Sequence, residues 1–420
     1  MKVLWVINSL LPEMAVFIYK KQAVSCSNSW VIALLEAFKH DVDLTIVMLY
    51  DGHILIEKEF DGYRCVAIPS KISVTKYNKE INAYLKNVKE KYEPDVVHVH
   101  GSEYPHAYNV LEVFGSERVV ISIQGLISII SRYYINSLSF SDILKNITIR
   151  NIIFHDSVWG QKIKFEKRGE YEQKALKYAK NVIGRTLWDK VHSESINPCL
   201  KYYHLDELIR PEFYRSEKWS FRDCDKHTIF ISQCSYPIKG LHIALKALEL
   251  VKRKYPEVKL RIAGKPFLNK KSIREKLSFS GYAKYIQKLI KSLGLTNNIE
   301  FTGVLDANKM VDEYLKANVY ICPSAIENSP NSMCEAQLLG VPSILSFCGG
   351  IPEMTNFGES AYLYRFEEYE MLAYYICNAF SSDLEIEKKR IRGIEISENR
   401  HNTNKIIQEL IGIYKNISGE

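Results

Sequence analysis

Short apolar runs alternate with amphipathic stretches in the first half of the chain. Such runs, when fully apolar and rich in Val and Ile, are typical of parallel strands that are buried on both faces. The alternation of strand and helix predicts a doubly wound α/β domain. The pattern predicts one helix at 29–40 and strands at 2–8, 43–49, 94–101 and 118–125.

A second series of the same kind follows residue 215. Its first helix, predicted at 239–255, carries an apolar stripe at helical spacing. The predicted strands are 227–233, 258–264, 299–305, 319–324 and 341–347. A chain of 420 residues also exceeds one ordinary core. We therefore predict two Rossmann-like domains that face a central cleft, with boundaries at 1–210 and 211–396 and a C-terminal helix at 397–420. Ligands of such sheets bind at the carboxyl ends of the strands.

Residues 127–168 interrupt the first series. They are rich in aromatic residues and Ile, and they contain seven basic residues against three acidic ones. Two interpretations remain open. The segment is either an amphipathic insertion that faces a membrane or a group of helices that packs on the core of the first domain.

Composition narrows the class of protein. A hydrophobic content of 46% with 25% charged residues is typical of a soluble globular protein, and no apolar stretch reaches the length of a membrane span. The nine cysteines lack zinc spacing, so we expect reduced thiols, no metal site and no cofactor. The net charge of +7 suits an anionic ligand or an anionic membrane surface. We expect a cytoplasmic protein, either free or at the inner face of the plasma membrane.

The stretch 323–344, PSAIENSPNSMCEAQLLGVPSI, concentrates candidate chemistry. Glu327 follows a predicted strand, and Glu335 lies on the helix that comes next. Two helix registers are possible. Ser332 can be the N-cap, with Glu335 completing a capping box, or Ser329 can be the N-cap, with Pro330 at the first helical position.

In either register the start of this helix lies at the carboxyl edge of the sheet and can bind an anion. A carboxylate one turn further along would repel phosphate but can accept hydrogen bonds from ribose hydroxyls. The arrangement suits a sugar nucleotide, with the ribose at Glu335 and the sugar near Glu327. The diphosphate would lie at the helix tip, against Ser329, Asn331 and Ser332.

The same region resembles the Glu-x7-Glu signature of retaining GT-B glycosyltransferases of family 4. The matched positions, in order, are Pro323–Ser324, Glu327, Glu335–Ala336, Gly340–Pro342 and Gly349–Gly350–Ile351–Pro352–Glu353. The resemblance implies that Gly349 and Gly350 belong to the nucleotide-sugar site. It also implies that the last helix crosses back to the first domain.

The segment 236–248, YPIKGLHIALKAL, is similar to the phosphate loop of that family. Lys239 and Gly240 would then bind the diphosphate, and Lys239 would neutralise the leaving group. Gln233 stands where the family usually has an arginine on the diphosphate, so one of the two expected cations is replaced by a neutral amide. Lys265 is a candidate replacement or a solvated loop lysine.

In the first domain, 94–108 resembles the His-x-His segment of the family, which implies that His100 contacts the transferred sugar. Glu103 would bind the acceptor or cap the following helix, and Arg185 would bind a ligand or form an interdomain ion pair. Gln124 stands where the family often has a histidine. Residues 27–30 stand where it has a Gly-Gly loop, and there Asn28 and Ser29 would offer backbone N–H groups.

The resemblance implies that a sugar passes from a UDP or GDP donor to a hydroxyl acceptor with retention and without a metal. Glu327, Lys239 and His100 would be the catalytic residues. The acceptor would be a glycan or lipid-linked glycan in the synthesis of capsule or exopolysaccharide, with peripheral membrane contact. The alternatives are another GT-B enzyme such as a sugar-nucleotide epimerase, or a nucleotide-sugar-binding protein without turnover. A dinucleotide oxidoreductase is disfavoured because no Gly-x-Gly-x-x-Gly follows the first strand.

Overall fold

The structure is a computed structural model that describes residues 1–20, 29–70, 75–264, 279–381 and 384–419. The chain divides into two compact units. Unit 1 contains Met1–Ser131, Lys164–Arg210 and His401–Glu420, and unit 2 contains Arg132–Ile163 and Pro211–Arg400.

Unit 1 is built on an eight-stranded sheet in the order β3-β4-β2-β1-β5-β6-β7-β8. All neighbouring strands are parallel except β3, which is antiparallel to β4. The central strands are buried on both faces, as their continuous apolar runs require. The strands are β1 (Lys2–Ile7), β2 (Asp43–Tyr50), β3 (Ile56–Phe60), β4 (Tyr63–Pro69), β5 (Val96–His100), β6 (Val119–Ser122), β7 (Asn181–Gly184) and β8 (Lys201–His204).

The helices from the N-terminal half lie mostly in unit 1. They are α1 (Pro12–Tyr19), α2 (Ser29–Phe38), α3 (Ile81–Tyr92), α4 (His106–Phe114), α5 (Ile127–Ile130), α6 (Phe140–Lys145), α7 (Ile149–Phe154), α8 (Val158–Tyr178) and α9 (Leu187–Ile196). Helices α6 and α7 belong to unit 2, and α8 begins there and continues into unit 1.

Unit 2 contains a six-stranded, fully parallel sheet in the order β11-β10-β9-β12-β13-β14. Its strands are β9 (Thr228–Ile231), β10 (Lys259–Ala263), β11 (Ile299–Gly303), β12 (Val319–Cys322), β13 (Ser343–Ser346) and β14 (Tyr362–Tyr364). The remaining α-helices of the described residues are α10 (Pro211–Arg215), α11 (Leu241–Lys254), α12 (Gly281–Ser292), α13 (Ala307–Lys316), α14 (Asn331–Leu339), α15 (Ile351–Met354), α16 (Tyr369–Ala379), α17 (Leu384–Arg400) and α18 (Thr403–Ser418).

The last helix, α18, is grouped with unit 1 and is held to its sheet by polar contacts in the core. Trp5 Nε1 donates a hydrogen bond to the Tyr414 hydroxyl at 2.9 Å, and His98 Nδ1 lies 2.6 Å from the same oxygen. The predicted start of this segment at 397 falls inside α17, which runs to Arg400.

The prediction of two α/β domains with doubly wound sheets is confirmed, and so are the strands predicted for each. The placement of residues 127–168 in the first domain needs correction, because 132–163 pack with unit 2. Asn136 Nδ2 donates to the Pro237 carbonyl at 2.6 Å, and His242 Nε2 lies 2.7 Å from the Asn136 carbonyl. The Thr148 hydroxyl donates to the Phe279 carbonyl at 2.8 Å. Within the described residues, no helix is both long enough and apolar enough to span a bilayer.

Candidate functional site

The loop that carries Glu327 follows β12 and is held by two glycines from other segments. Gly349 has φ +53°, and a Cβ there would lie 1.8 Å from the Glu327 carbonyl oxygen. The next residue, Gly350, donates its N–H to the same oxygen at 3.0 Å. Gly240 likewise has φ +71°, and its missing Cβ would lie 1.8 Å from the Pro323 carbonyl oxygen. Only glycine permits these close approaches, so the backbone conformation of the loop around Glu327 requires Gly240 and Gly349.

The Glu327 side chain forms an ion pair with Lys239. Lys239 Nζ lies 2.5 Å from Glu327 Oε1, and the Ser324 hydroxyl donates to that oxygen at 2.6 Å. Burial by itself lowers the pKa of Lys239, but the charges of Glu327, Tyr236 and Cys322 and the hydrogen bond to Glu327 together outweigh it, so the pKa is raised above the ordinary lysine value. Lys239 therefore stays charged, with its charge balanced by Glu327. The structure thus brings together two residues that lie 88 positions apart in the chain.

A cavity of about 520 Å³ opens beside this pair within unit 2. Its volume is in the range of small-molecule sites. Six of its lining residues were predicted as site residues: Gln233, Lys239, Glu327, Asn331, Ser332 and Glu335. The predicted residues Gly240, Ser329, Gly349 and Gly350 are not among the described residues that line it.

The start of α14 borders the cavity, but both predicted registers are wrong. Pro330 is the N-cap, and its side chain makes no capping hydrogen bond because it has no polar atom. Ser332 is the second helical residue, and its hydroxyl accepts a hydrogen bond from the Tyr320 hydroxyl at 2.8 Å. The first N–H groups of a helix have no partner within the helix. Asn331 and Ser332 line the cavity, so this partly positive helix end lies at its edge.

Glu335 is buried in the second turn of α14 and lines the same cavity. The Tyr314 hydroxyl lies 3.3 Å from Glu335 Oε2 and donates to the Ser332 carbonyl at 2.9 Å. No sequence pattern singled out Tyr314, which lies on α13. The tyrosine positions the glutamate, and the glutamate oxygens can accept hydrogen bonds from hydroxyl groups of a ligand.

The charges around the cavity are few. Among its described lining residues, Lys239 is the cation, and Glu327 and Glu335 are the carboxylates. Gln233 lines the cavity as a neutral amide where the resemblance implied an arginine. Two residues named in the sequence analysis, Asn28 and Lys265, lie outside the described residues.

The predicted residue His100 belongs to unit 1, at the end of β5. It is buried, and its ring nitrogens have no hydrogen-bond partner among the described atoms. Burial, and then the charges of His98 and Arg185, hold its pKa well below the ordinary value, so the ring is neutral. His98, by contrast, is engaged by Tyr414 on one side and by the Ser122 hydroxyl, at 2.6 Å, on the other. His100 is therefore the histidine whose ring nitrogens are unsatisfied, whereas both ring nitrogens of His98 are engaged by its neighbours.

The structure shows the contacts of Arg185 and Glu103, for each of which the sequence left two roles open. Arg185 forms a buried ion pair with Glu207, and both residues lie in unit 1 rather than in different domains. Glu103 does not cap α4, whose N-cap is Pro105 without a side-chain hydrogen bond. Burial raises the pKa of Glu103 to about 7. The buried Glu172, which no sequence pattern singled out, accepts hydrogen bonds from Ser102 and from the start of α5.

No cluster of three or more His, Cys, Asp or Glu side chains in the described ranges has the arrangement of a metal site.

Part of the chain is similar to a known protein family. Residues 215–398 match the family model described as Glycosyl transferases group 1. All described residues that line the cavity fall inside that segment.

Among curated relatives, the D-inositol 3-phosphate glycosyltransferase of Streptomyces scabiei is 28% identical over 133 residues. The match covers 30% of this chain and only 27% of that relative's own length.

Solved structures match over nearly the whole chain. Sucrose-phosphate synthase from Thermosynechococcus elongatus has a TM-score of 0.70 at 14% identity, with 99% of each chain covered. Anabaena Alr3699/HepE in complex with UDP-glucose has a TM-score of 0.63 at 15% identity, with 99% of this chain and 100% of that chain covered. At such identity the likeness shows the fold, which is GT-B, with two Rossmann-like domains.

Proposed function

We propose that this protein is a glycosyltransferase that moves a sugar from a nucleotide-diphosphate donor to a hydroxyl acceptor. The observation that carries the proposal is the cavity of unit 2, about 520 Å³ in volume, which combines a helix N-terminus, Lys239 and Glu335. It lies within the segment that matches the Glycosyl transferases group 1 model. The match to a complex with UDP-glucose supports a sugar nucleotide as the donor class.

Each part of the cavity has a role in this proposal. The diphosphate lies at the start of α14, where helix N–H groups and Lys239 stabilise the charge that develops as it leaves. Glu335, positioned by Tyr314, accepts hydrogen bonds from the ribose hydroxyls. Glu327 contacts the transferred sugar. The anomeric configuration is retained when the acceptor attacks from the face that the diphosphate leaves, and the departing phosphate then takes the acceptor proton.

The acceptor and the biological role extend the proposal. A glycan or lipid-linked glycan in the synthesis of a cell-surface polysaccharide is the acceptor that the sequence resemblance implies. Its support is the motif order from Pro323 to Glu353. Reaction without a metal belongs to the same proposal.

A nucleotide-sugar-binding protein without turnover is the second candidate, because one observation favours it. The charge of Lys239 is already balanced by Glu327, and Gln233 adds no second cation. A site of this kind can hold a donor and yet stabilise its departure poorly.

The test combines binding with turnover. A thermal-shift screen of UDP, GDP, ADP and CDP sugars identifies the donor class, because a ligand at about 100 times its Kd stabilises the folded state by roughly 2.7 kcal/mol. Release of free nucleoside diphosphate in the presence of glycan acceptors then measures turnover. We expect Glu335→Gln to weaken donor binding and Lys239→Ala to lower turnover, while Glu367→Gln, an exposed carboxylate away from the cavity, changes neither. Stabilisation without nucleotide release from any donor would favour the second candidate, and unchanged behaviour of both site variants would refute the site.

A further inference from the structure

Helix α7 presents its apolar side chains to solvent. Ile149, Ile152, Ile153 and Phe154 are 63%, 66%, 64% and 62% exposed. Ile149, Ile152 and Ile153 have the i, i+3, i+4 spacing of one helix face. In surface helices of globular proteins such a face is directed toward the core. We call these four residues the α7 face.

The inward side of α7 is polar instead. Asn151 is 4% exposed, and its Nδ2 donates to Asp156 Oδ1 at 2.7 Å. The Asn151 Oδ1 accepts the Thr148 N–H at 3.1 Å, and together they form a capping box. A Cβ on Gly281, at the start of α12, would lie 2.7 Å from that same Asn151 oxygen. A rotation of α7 that buried the isoleucines would break these contacts, so the outward apolar face is fixed by the fold.

Contiguous apolar side chains of this exposure mark an interaction surface. The charges of the segment that carries the α7 face select the kind of partner. The part of the segment that packs with unit 2, residues 132–163, contains four basic and two acidic residues. Asp156 is buried and paired with Arg150 at 2.7 Å, and Asp142 accepts a hydrogen bond from the Ser139 hydroxyl, so both acidic side chains are engaged locally and one of the four basic residues is neutralised. Lys145 is exposed on the neighbouring helix α6.

An apolar face on a segment with an excess of basic residues is complementary to an anionic bilayer, into which such a face inserts to a shallow depth. A second copy of the chain is a poorer occupant, because it would bring the same excess of positive charge against itself. We infer that the α7 face docks on the surface of a bilayer that contains anionic lipids. This inference does not require transferase activity.

Vesicle sedimentation tests the inference with the full chain. Vesicles of phosphatidylcholine with about a third phosphatidylglycerol provide the anionic surface, and pure phosphatidylcholine vesicles are the comparison. The test variant is Ile152→Ser/Ile153→Ser. The matched control is Ile54→Ser, because Ile54 is 67% exposed but lies in unit 1. We expect wild type and control to bind anionic vesicles and the test variant to lose about tenfold or more of its partition coefficient.

Two further measurements decide the outcome if the double variant does not fold. Ile153→Trp should shift its fluorescence to shorter wavelength when anionic vesicles are added, and Ile54→Trp should not. Lys145→Gln should reduce the preference for anionic over neutral vesicles. Wild-type protein that ignores anionic vesicles would overturn the inference, and so would equal binding by test and control variants. A dimer that Ile152→Ser/Ile153→Ser dissociates, without vesicle binding, would assign the α7 face to a second copy instead.

Discussion

Replacement of Glu327 by glutamine should strengthen the binding of UDP. In the structure Lys239 Nζ is paired with Glu327 Oε1 at 2.5 Å, so a diphosphate must compete with the Glu327 carboxylate for Lys239. Glu327→Gln keeps the shape of the side chain and removes its charge. The cavity then has one cation and one carboxylate, where the native protein has one cation and two carboxylates among the described lining residues.

The size of the expected gain in UDP affinity depends on how deeply the Lys239–Glu327 ion pair is buried. The side chains of Lys239 and Glu327 are 18% and 13% exposed, so an effective dielectric constant near that of partly buried sites applies rather than that of water. The Glu327 carboxylate and one charge of the diphosphate, taken as about 8 Å apart at an effective dielectric constant of about 20, repel each other by roughly 2 kcal/mol. Salt and the remaining hydrogen bond from a neutral glutamine reduce this figure. We therefore expect a gain of about 1–2 kcal/mol, or a roughly five- to thirtyfold lower Kd for UDP.

Isothermal titration calorimetry with UDP measures this change directly. Glu367→Gln is the control, since it removes a carboxylate of unit 2 that pairs with Arg365 outside the cavity. Lys239→Met should weaken UDP binding, and Lys239→Met/Glu327→Gln separates competition for the lysine from direct repulsion of the diphosphate by Glu327. In the native protein the pKa of Lys239 is raised, so its charge persists through neutral pH. All titrations should be made at one pH, because the terminal phosphate of UDP itself titrates near pH ~6.

The reasoning fails if Glu327→Gln binds UDP no better than the native protein. A gain that persists in the Lys239→Met background would show that Glu327 acts by direct repulsion of the diphosphate rather than by competition for Lys239.

Three further predictions concern stability. Gly349→Ala should lower the melting temperature of the transition that contains unit 2, because it places a Cβ 1.8 Å from the Glu327 carbonyl oxygen at φ +53°, whereas Gly412→Ala, in open space within α18, should not. Tyr414→Phe should cost about 1–3 kcal/mol, since it leaves the buried Trp5 N–H without its acceptor, and hydrogen exchange in β1 and α18 should show the loss. Glu103 has a folded-state pKa of about 7 against an ordinary value of 4.5, so the free energy of unfolding falls as the pH rises between these values. Glu103→Gln should therefore raise the melting temperature more at pH 8 than at pH 5. An equal effect at both pH values would contradict the burial of this carboxyl.

The sequence predicted the central strands of both sheets because most of these strands are buried on both faces. A continuous apolar run such as KVLWVI leaves few alternatives to a parallel strand. The pattern did not reveal β3 and β8, whose residues are partly exposed and not uniformly apolar, and it also missed β4, β7 and β14. The pattern also assigned residues 132–163 to the first domain, because segments that follow one another in the chain usually lie close together in space. Chain order gives no sign of a long-range hydrogen bond such as that from Asn136 to Pro237.

For the cavity, the sequence predicted several of the residues that line it but not the hydrogen bonds and ion pairs that these residues form. Motif order placed Gln233, Lys239, Glu327 and Glu335 together, and these four residues line one cavity. The helix register was wrong because both registers assumed that a serine hydroxyl caps the helix. The Ser332 hydroxyl instead accepts from Tyr320, a contact across the sheet that local pattern cannot show. The Lys239–Glu327 pair was missed for the same reason.

That pair leads to a final prediction about the order of events at the site. Gly349 and Gly350 fix the backbone of Glu327, so the carboxylate can leave Lys239 only by rotation of its side chain. A donor that carries a sugar offers the hydroxyl groups of that sugar as new partners for Glu327, whereas UDP has only its ribose hydroxyls, which the proposal places at Glu335. Native protein should therefore gain more affinity from the sugar than Glu327→Gln does, and the advantage of the variant should shrink from UDP to UDP-glucose. Titration of both ligands into both proteins gives the comparison. An equal advantage for the two ligands would mean that Glu327 does not contact the sugar, and its role would be confined to holding Lys239.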